Sequence, residues 1–183
     1  GTLVKFAYNS SGTTPLPTTV ATKAQVGATW GVAYARSTQM LYAAAFLKRH
    51  VGLGPNGLGA IYAMNSNGGT PTLFADLTAL GANVGTVASN SVRGLAAPGT
   101  PNNDASTYDL IGKVGLGDID LSADERTLYV VSLNDKTLYA LNVPAGTLAG
   151  SYPIPDPGCT GGAWRPFAMK VKLGAVYVGG VCD

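Results

Sequence analysis

The sequence is poor in charge and has no long apolar run. Only 12% of the 183 residues are charged, against about a quarter in an average soluble protein. The net charge is +2 and the basic residues are scattered, apart from the cluster Lys48 to His50, so we expect no nucleic-acid partner. No apolar run approaches the roughly 18 residues that cross a bilayer, and we expect no membrane span.

Cysteine and histidine are also scarce. The two cysteines, Cys159 and Cys182, and the single histidine, His50, are too few for a typical zinc site. We expect a disulfide between the two cysteines, with paired free thiols of a cytosolic protein as the alternative. A disulfide predicts a secreted or cell-surface location. The start at Gly1, without a methionine or a signal peptide, is typical of a processed or excised segment.

Turn-forming and β-forming residues dominate what is present. The chain has 25 Gly and 11 Pro, and it lacks runs of Glu, Lys and Ala at helical spacing. Residues 117–143 form three apolar, strand-like runs separated by the turns SADER and NDK. Connections this short join antiparallel neighbours, so this stretch predicts a β-meander.

The meander has imperfect copies on both sides. Residues 30–64 repeat it with a longer middle connection, Lys48 to Leu58, and residues 165–178 repeat its first two strands. Both fuller copies end in a fourth strand, at 70–77 and 146–154. Antiparallel units of four strands that recur every 40 to 50 residues are typical of a β-propeller.

We therefore predict an all-β fold of four-stranded antiparallel meander repeats, forming a partial, unclosed β-propeller in a single domain, 1–183. Its predicted parts are a leading strand at 2–8, a loop at 9–19, a blade at 28–77, a rim loop at 78–116, a blade at 117–154 and a half blade at 165–182. Propellers usually have at least four blades, so another part of the precursor or another chain would have to complete the ring. The long connections, at 48–58, 78–116 and 155–164, all fall at the same end of the meanders, which predicts one decorated rim suited to binding.

Three strings together resemble a family of bacterial secreted β-propellers that form N-terminal regions of large, adhesin-like surface proteins. They are YAAAFLKRHVGLGPNGLGAIYAMN, GKVGLGDIDLSADERTLYVVSLNDKTLYALNV and CTGGAWRPFAMKVKLGAVYVGGVCD. The resemblance implies an extracellular, non-catalytic surface module. The propeller of that family normally continues beyond the position of Asp183.

The candidate binding residues lie on the predicted rim: Lys48, Arg49, His50, Asn56, Trp164 and Arg165. His50 lacks a recognisable nucleophile and orienting carboxylate, which favours a loop-anchoring role over catalysis. The string GLGPNGLG lacks the Lys-Ser/Thr ending of a phosphate loop. Trp30 and Trp164 open two of the repeats and are expected to pack between blades. Five tyrosines at equivalent strand positions are interpreted as blade core: Tyr42, Tyr62, Tyr129, Tyr139 and Tyr177.

Acidic residues offer one candidate metal site. Asp118 and Asp120 alternate on one strand and share a face, and Asp124 follows in the turn, so their oxygens could hold calcium. The alternative, which we favour, is that they bind backbone amides. Asn102 to Asp104 offer a weaker calcium site. We otherwise expect no cofactor.

Three functions fit these patterns. The favoured one is a non-catalytic extracellular structural or adhesive module, which binds protein chains through unclosed blade edges and the looped rim; its partners would be copies of itself or the remaining blades. The second is a propeller enzyme with a channel-centred site, and one His with ten acidic residues and no triad speaks against it. The third is a propeller that binds sugars or small molecules.

Overall fold

The computed structural model describes residues 2–95 and 102–183. These residues form antiparallel β-sheets with one short α-helix and one 3₁₀-helix. The strands are β1 (Leu3–Lys5), β2 (Thr18–Ala21), β3 (Thr29–Ala35), β4 (Met40–Ala45), β5 (Ala60–Asn65), β6 (Thr72–Asp76), β7 (Leu116–Leu121), β8 (Thr127–Ser132), β9 (Thr137–Asn142), β10 (Leu148–Pro153), β11 (Trp164–Lys172) and β12 (Ala175–Cys182). The helices are α1 (Lys23–Val26) and the 3₁₀-helix Ala105–Leu110.

The strands pair in chain order. β3 to β6 form one four-stranded sheet, β7 to β10 form a second, and the pairs β1–β2 and β11–β12 form two-stranded sheets. Each of the two larger sheets is a meander, because its consecutive strands are joined at their ends by turns or loops. The predicted all-β fold with four-stranded antiparallel sheets is thus confirmed.

Strand β8 shows why the sheets stack. Its residues are apolar on both faces: Leu128 and Val130 pack toward the β3–β6 sheet, while Tyr129 and Val131 pack toward the β11–β12 sheet. A strand that is covered on both faces carries a nearly continuous apolar run, as β8 does, instead of a strict alternation with polar residues. The β7–β10 sheet therefore lies between two others.

Three apolar layers join the four sheets. Tyr62 and Met64 lie in the layer between the β1–β2 and β3–β6 sheets, and Leu116 and Ile119 in the next layer. Met169 lies in the last layer, between the β7–β10 and β11–β12 sheets. The first strands of the three C-terminal sheets, β3, β7 and β11, are neighbours along the stack. No sheet of the described residues closes on itself.

The N-terminal segment differs from the prediction. The leading strand expected at 2–8 is only three residues long, and β2 and α1 lie in or directly after the loop expected at 9–19. Prolines at 15 and 17 suggested a loop, but the β-branched run Thr18 to Val20 pairs with β1. This pairing closes a small sheet whose Leu3 and Val20 cover the β3–β6 sheet.

Candidate interaction surface

Two long connections fold onto each other at one end of the sheets. The β4–β5 connection contains Leu53, and the β6–β7 connection contains Asn90. The Leu53 N–H donates to Asn90 Oδ1 at 3.0 Å, and Asn90 Nδ2 donates to the Leu53 carbonyl at 2.9 Å. The Asn90 amide thus bonds both the N–H and the C=O of Leu53, as a residue of a neighbouring strand does, and it fixes the two loops together.

A buried ion pair forms the centre of this loop assembly. Arg93 Nη2 lies 2.7 Å from Asp104 Oδ2, and both side chains are fully buried. The same Nη2 also donates to the carbonyls of Lys48 and Val51, at 2.9 and 3.2 Å. The Arg93 hydrogen bonds lower the pKa of Asp104 to about 2. This guanidinium therefore holds three chain segments.

The predicted residues Lys48, Arg49 and His50 lie at this assembly. The His50 N–H donates to Asp104 Oδ2 at 2.8 Å, so its backbone does anchor the loop. Arg49 Nη2 donates to the Asn103 carbonyl at 2.5 Å, and its guanidinium lies 5.3 Å from the ring centroid of Tyr108.

Asn56 and the second group of predicted residues lie elsewhere. The Asn56 N–H donates to the Tyr62 hydroxyl at 3.3 Å. Trp164 and Arg165 lie at the start of β11, and the structure gives no hydrogen bond or ion pair between them and the Lys48–His50 cluster within the described residues. The predicted binding residues therefore do not form one surface: Lys48 to His50 lie at the loop assembly, and Trp164 and Arg165 lie in the β11–β12 sheet.

Sequence reasoning missed Arg93 and gave Asp104 a weak role as a calcium ligand. A lone Arg in a Ser- and Gly-containing loop carries no signal of burial, because Arg is usually exposed. The pairing depends on a loop fold that brings residues eleven positions apart together. A guanidinium in contact with the carboxylate opposes a second cation there.

Asp118 and Asp120 join two sheets. Met169 N–H donates to Asp118 Oδ2 at 3.2 Å, and Val171 N–H donates to Asp120 Oδ2 at 2.9 Å. Lys170 Nζ also lies 2.7 Å from Asp120 Oδ2. The carboxylates bind backbone amides, as the favoured alternative predicted.

Asp124 lies apart from this pair. It accepts from Ser122 Oγ at 2.6 Å within the β7–β8 turn. The described residues contain no group of three or more His, Cys, Asp or Glu placed to hold a metal. Calcium binding stays an untested prediction.

Three aromatic rings meet where the first strands are close. The ring centroid of Trp30 lies 5.8 Å from that of Phe46 and 5.6 Å from that of Phe167. Gly117 of β7 lies beside them, since a Cβ there would come within 2.7 Å of the Phe167 carbonyl oxygen. Trp30 thus contacts a ring of the β11–β12 sheet, but it lies outside the apolar layers between neighbouring sheets and is 59% exposed, so the expected packing between blades is not found.

The disulfide prediction is confirmed, and the bond closes the start of the β11–β12 sheet. Cys159 and Cys182 are bonded, with Cα atoms 5.6 Å apart. Next to it, Asp183 Oδ2 lies 3.2 Å from Lys113 Nζ and 3.6 Å from Arg165 Nε. The Lys113 ammonium, foremost, and Arg165 lower the pKa of the Asp183 carboxyl. These ion pairs join the residue after β12 to β11 and to the loop before β7.

One face of the β11–β12 sheet is exposed to solvent. It carries Ala168, Tyr177 and Val181, with Lys170 opposite Tyr177 and Lys172 at its far end, and Tyr177 and Val181 are 59% and 63% exposed. A cavity of about 550 Å³ opens at one end of this face, beside Lys113 and Arg165. The prediction that Tyr177 is core is wrong in this structure, because no described sheet covers it. Its counterparts Tyr42, Tyr62 and Tyr139 are buried, and Tyr129 is half-buried.

The outer edge of β12 is unpaired within the described residues, because its sheet has no third strand. Beside this edge lies a groove of about 340 Å³, which we call the edge groove. It is lined by Leu138, Tyr152, Pro153, Ile154, Pro155, Pro157, Trp164, Val176 and Val178. Trp164 is 8% exposed, and its indole N–H has no acceptor among the described residues. The edge groove is therefore lined mostly by apolar residues, and one of these residues has a buried donor without an acceptor among the described residues.

No helix within residues 2–95 and 102–183 has the length and apolar character needed to cross a membrane. No protein-family model matches the chain. Three curated proteins of Dictyostelium discoideum are similar to it: Colossin-D, 29% identical over 90% of this chain, Colossin-A, 28% identical over 98%, and Colossin-C, 26% identical over 90%. The chain spans 17%, 2% and 16% of these three proteins, respectively.

These relatives correct the expected origin. The resemblance to a bacterial family was wrong, because the relatives are proteins of an amoeba, a eukaryote. The three strings that carried the resemblance consist of alternating apolar residues and short turns, and such patterns report strand pairing in any organism. The chain is thus similar, over nearly its whole length, to short parts of large amoebal proteins.

Proposed function

We propose that this chain is a non-catalytic, extracellular structural module of partial propeller type, which associates with protein chains through the uncovered face and the unpaired edge of the β11–β12 sheet. The observation that carries this function is the contrast between the sheets. Strands β7 to β9 of the β7–β10 sheet are covered by neighbouring sheets, whereas the β11–β12 sheet exposes Tyr177 and Val181. Exposed contiguous apolar surface next to an unpaired strand edge is typical of association sites.

A propeller arrangement accounts for the order of the sheets. Successive meanders stack face to face, and their first strands β3, β7 and β11 are neighbours, as the inner strands of propeller blades are. Further blades would cover the solvent face of β11–β12. In that arrangement the partner is protein of the same β architecture.

Secretion is supported by the disulfide. Disulfides persist in oxidising compartments and are rare in the cytosol of most organisms. The bond between Cys159 and Cys182 is therefore consistent with a secreted or cell-surface protein.

Sedimentation velocity across a concentration series tests the association. We expect the chain to self-associate, and the double substitution Tyr177→Lys and Val181→Lys to weaken this, because two cations on the uncovered face oppose contact between copies. The matched control is Tyr8→Lys, which changes a fully exposed tyrosine of the N-terminal segment. A monomer at the highest soluble concentration, or equal association of all three proteins, would contradict this function.

The cavity on the same face favours a second candidate, binding of a small molecule. Its walls include Phe167, Gly179 and Gly180, and Lys113 and Arg165 also line it. These groups fit an apolar molecule with one carboxylate, which would compete with Asp183 for the two cations. Titration with 4-phenylbutyrate, followed by NMR, should shift the signals of Phe167 and Gly180. The absence of saturable shifts would rule out this second candidate and leave protein association as the proposed function.

A further inference from the structure

We infer that β12 accepts a partner strand with a defined side-chain pattern, an apolar residue followed by Tyr, Ala and Leu or Met, with the tyrosine in the edge groove. This deepens the proposed function, on which it rests. The pattern comes from the two complete sheets, each of which shows what lies beside the strand that corresponds to β12.

The third strands of the complete sheets are alike. β5 reads AIYAMN and β9 reads TLYALN. In each, the tyrosine pairs with the fourth residue of the preceding strand: Tyr62 with Ala43, and Tyr139 with Val130. The corresponding residue of β12, its fourth, is Val178.

The buried faces agree with this correspondence. Ala43 and Tyr62 face the sheet before theirs, Val130 and Tyr139 do the same, and Val178 faces the β7–β10 sheet. A strand paired with β12 in the same register would place its tyrosine opposite Val178. That position lies over the edge groove, which Leu138, Ile154 and Val178 line.

The edge also has free hydrogen-bonding groups. The N–H groups of Met169 and Val171 donate to Asp118 and Asp120, so these residues do not exchange hydrogen bonds with their partners on β12. In a non-hydrogen-bonded antiparallel pair, the N–H and C=O groups of both residues point away from the partner strand. The partners, Val178 and Val176, therefore direct theirs toward the open edge.

Trp164 supplies an independent observation. Its buried indole N–H lacks an acceptor within the described part of the chain, and its side chain lines the groove. A buried donor without an acceptor is unfavourable, because it has lost its hydrogen bond to water. A carbonyl or hydroxyl brought in by an occupant would satisfy it.

Fluorescence polarisation with a labelled peptide, DKTLYALNV, tests the inference on the protein carrying Tyr177→Lys and Val181→Lys, in which self-association is weakened. We expect saturable binding. Changing the peptide tyrosine to Ala should weaken binding by about tenfold or more, since a buried aromatic anchor is lost. A peptide of the same composition in scrambled order is the control.

Backbone methylation separates strand pairing from apolar adhesion. The peptide tyrosine, opposite Val178, should donate its N–H to β12, whereas the N–H of the following Ala should point away. N-methylation at the tyrosine should abolish binding, and N-methylation at that Ala should preserve it. Equal effects of the two methyl groups would overturn the inference.

The protein offers a matched pair of variants. Added to the Tyr177→Lys and Val181→Lys protein, Val178→Lys should abolish peptide binding, and Ala175→Lys, an exposed position on the opposite face of the same strand, should not. Melting curves identify a variant that fails to fold, in which case the peptide series decides. Self-association of the wild-type chain without binding of the tyrosine peptide would overturn the strand pattern and leave the proposed function standing. A wild-type chain that does not self-associate, while the peptide still binds, would overturn the proposed function and leave the strand pattern.

Discussion

Single acidic residues of this chain bind elements that are distant in sequence, and Asp104 is the most buried example. It contacts Arg93 and the backbone of His50. Asp104→Asn should leave the Arg93 guanidinium buried without its counter-charge, at a cost of about 3–5 kcal/mol. Urea unfolding measures this. Asp109→Asn, an exposed carboxylate in the same loop, should change stability by no more than about 0.5 kcal/mol, and an equal effect of both substitutions would contradict the role of the ion pair.

Stability should depend on pH through the same carboxyl. The folded pKa of Asp104, about 2, lies below the ordinary value of 3.8, so its contribution is present above pH 4 and is lost as the pH falls toward 2. The Asn variant lacks this loss. The difference in free energy of unfolding between wild type and Asp104→Asn should therefore shrink between pH 4 and pH 2. A constant difference across that range would show that the carboxyl does not titrate as the contacts indicate.

Asp120 links β7 to β11, and its two contacts can be separated. Asp120→Ala should cost about 1–2 kcal/mol, because the Val171 N–H loses its acceptor. Lys170→Ala removes only the partner on the exposed side and should cost less than about 1 kcal/mol. Thermal melting compares them.

The same measurement with calcium tests the untested metal prediction: we expect no stabilisation, because calcium would have to displace Lys170 from the carboxylate.

The β11–β12 hairpin is the element most dependent on a covalent link. Cys182→Ser opens the bond to Cys159, which spans 23 positions, and should cost about 3 kcal/mol in the chain-entropy model. Because the bond ties β12 and not the other sheets, amide hydrogen exchange should accelerate in β12 first. Uniform acceleration across β3 to β12 would show instead that the stack unfolds as one unit.

Strands β3 to β12 could be predicted because apolar, strand-like runs alternate there with short polar turns or Gly- and Pro-containing loops. The short β2 could not, because two prolines precede it and its stability comes from pairing with β1. The edge groove could not be predicted either. Its lining comes from β9, β10, β11, β12 and a proline-containing loop, and the two sheets become neighbours only after they stack.

For the molecule as a whole, the stack depends on close approach of the first strands. A Cβ at Gly117 would come within 2.7 Å of the Phe167 carbonyl oxygen, so Gly117→Ala should cost about 1–3 kcal/mol by separating β7 from β11. Gly179→Ala is the control, since a Cβ there meets nothing nearer than Ala168 Cβ at 3.8 Å. Chemical denaturation compares the two. Equal stabilities would mean that the strands can separate at no cost.

The bonds from Asp118 and Asp120 also bear on how such repeats diverge. The carboxylates recognise the N–H groups of Met169 and Val171, and every residue type except proline provides this group. The identity of the receiving residue is thus left open to change during evolution. The corresponding positions of β3, Gly31 and Ala33, carry no carboxylate, and Gly31 lets the backbone of β7 approach directly. Neighbouring repeats can therefore diverge in sequence, because carboxylate–amide bonds join one pair of first strands and direct backbone contact joins another. The close spacing of the first strands is what the repeats have in common.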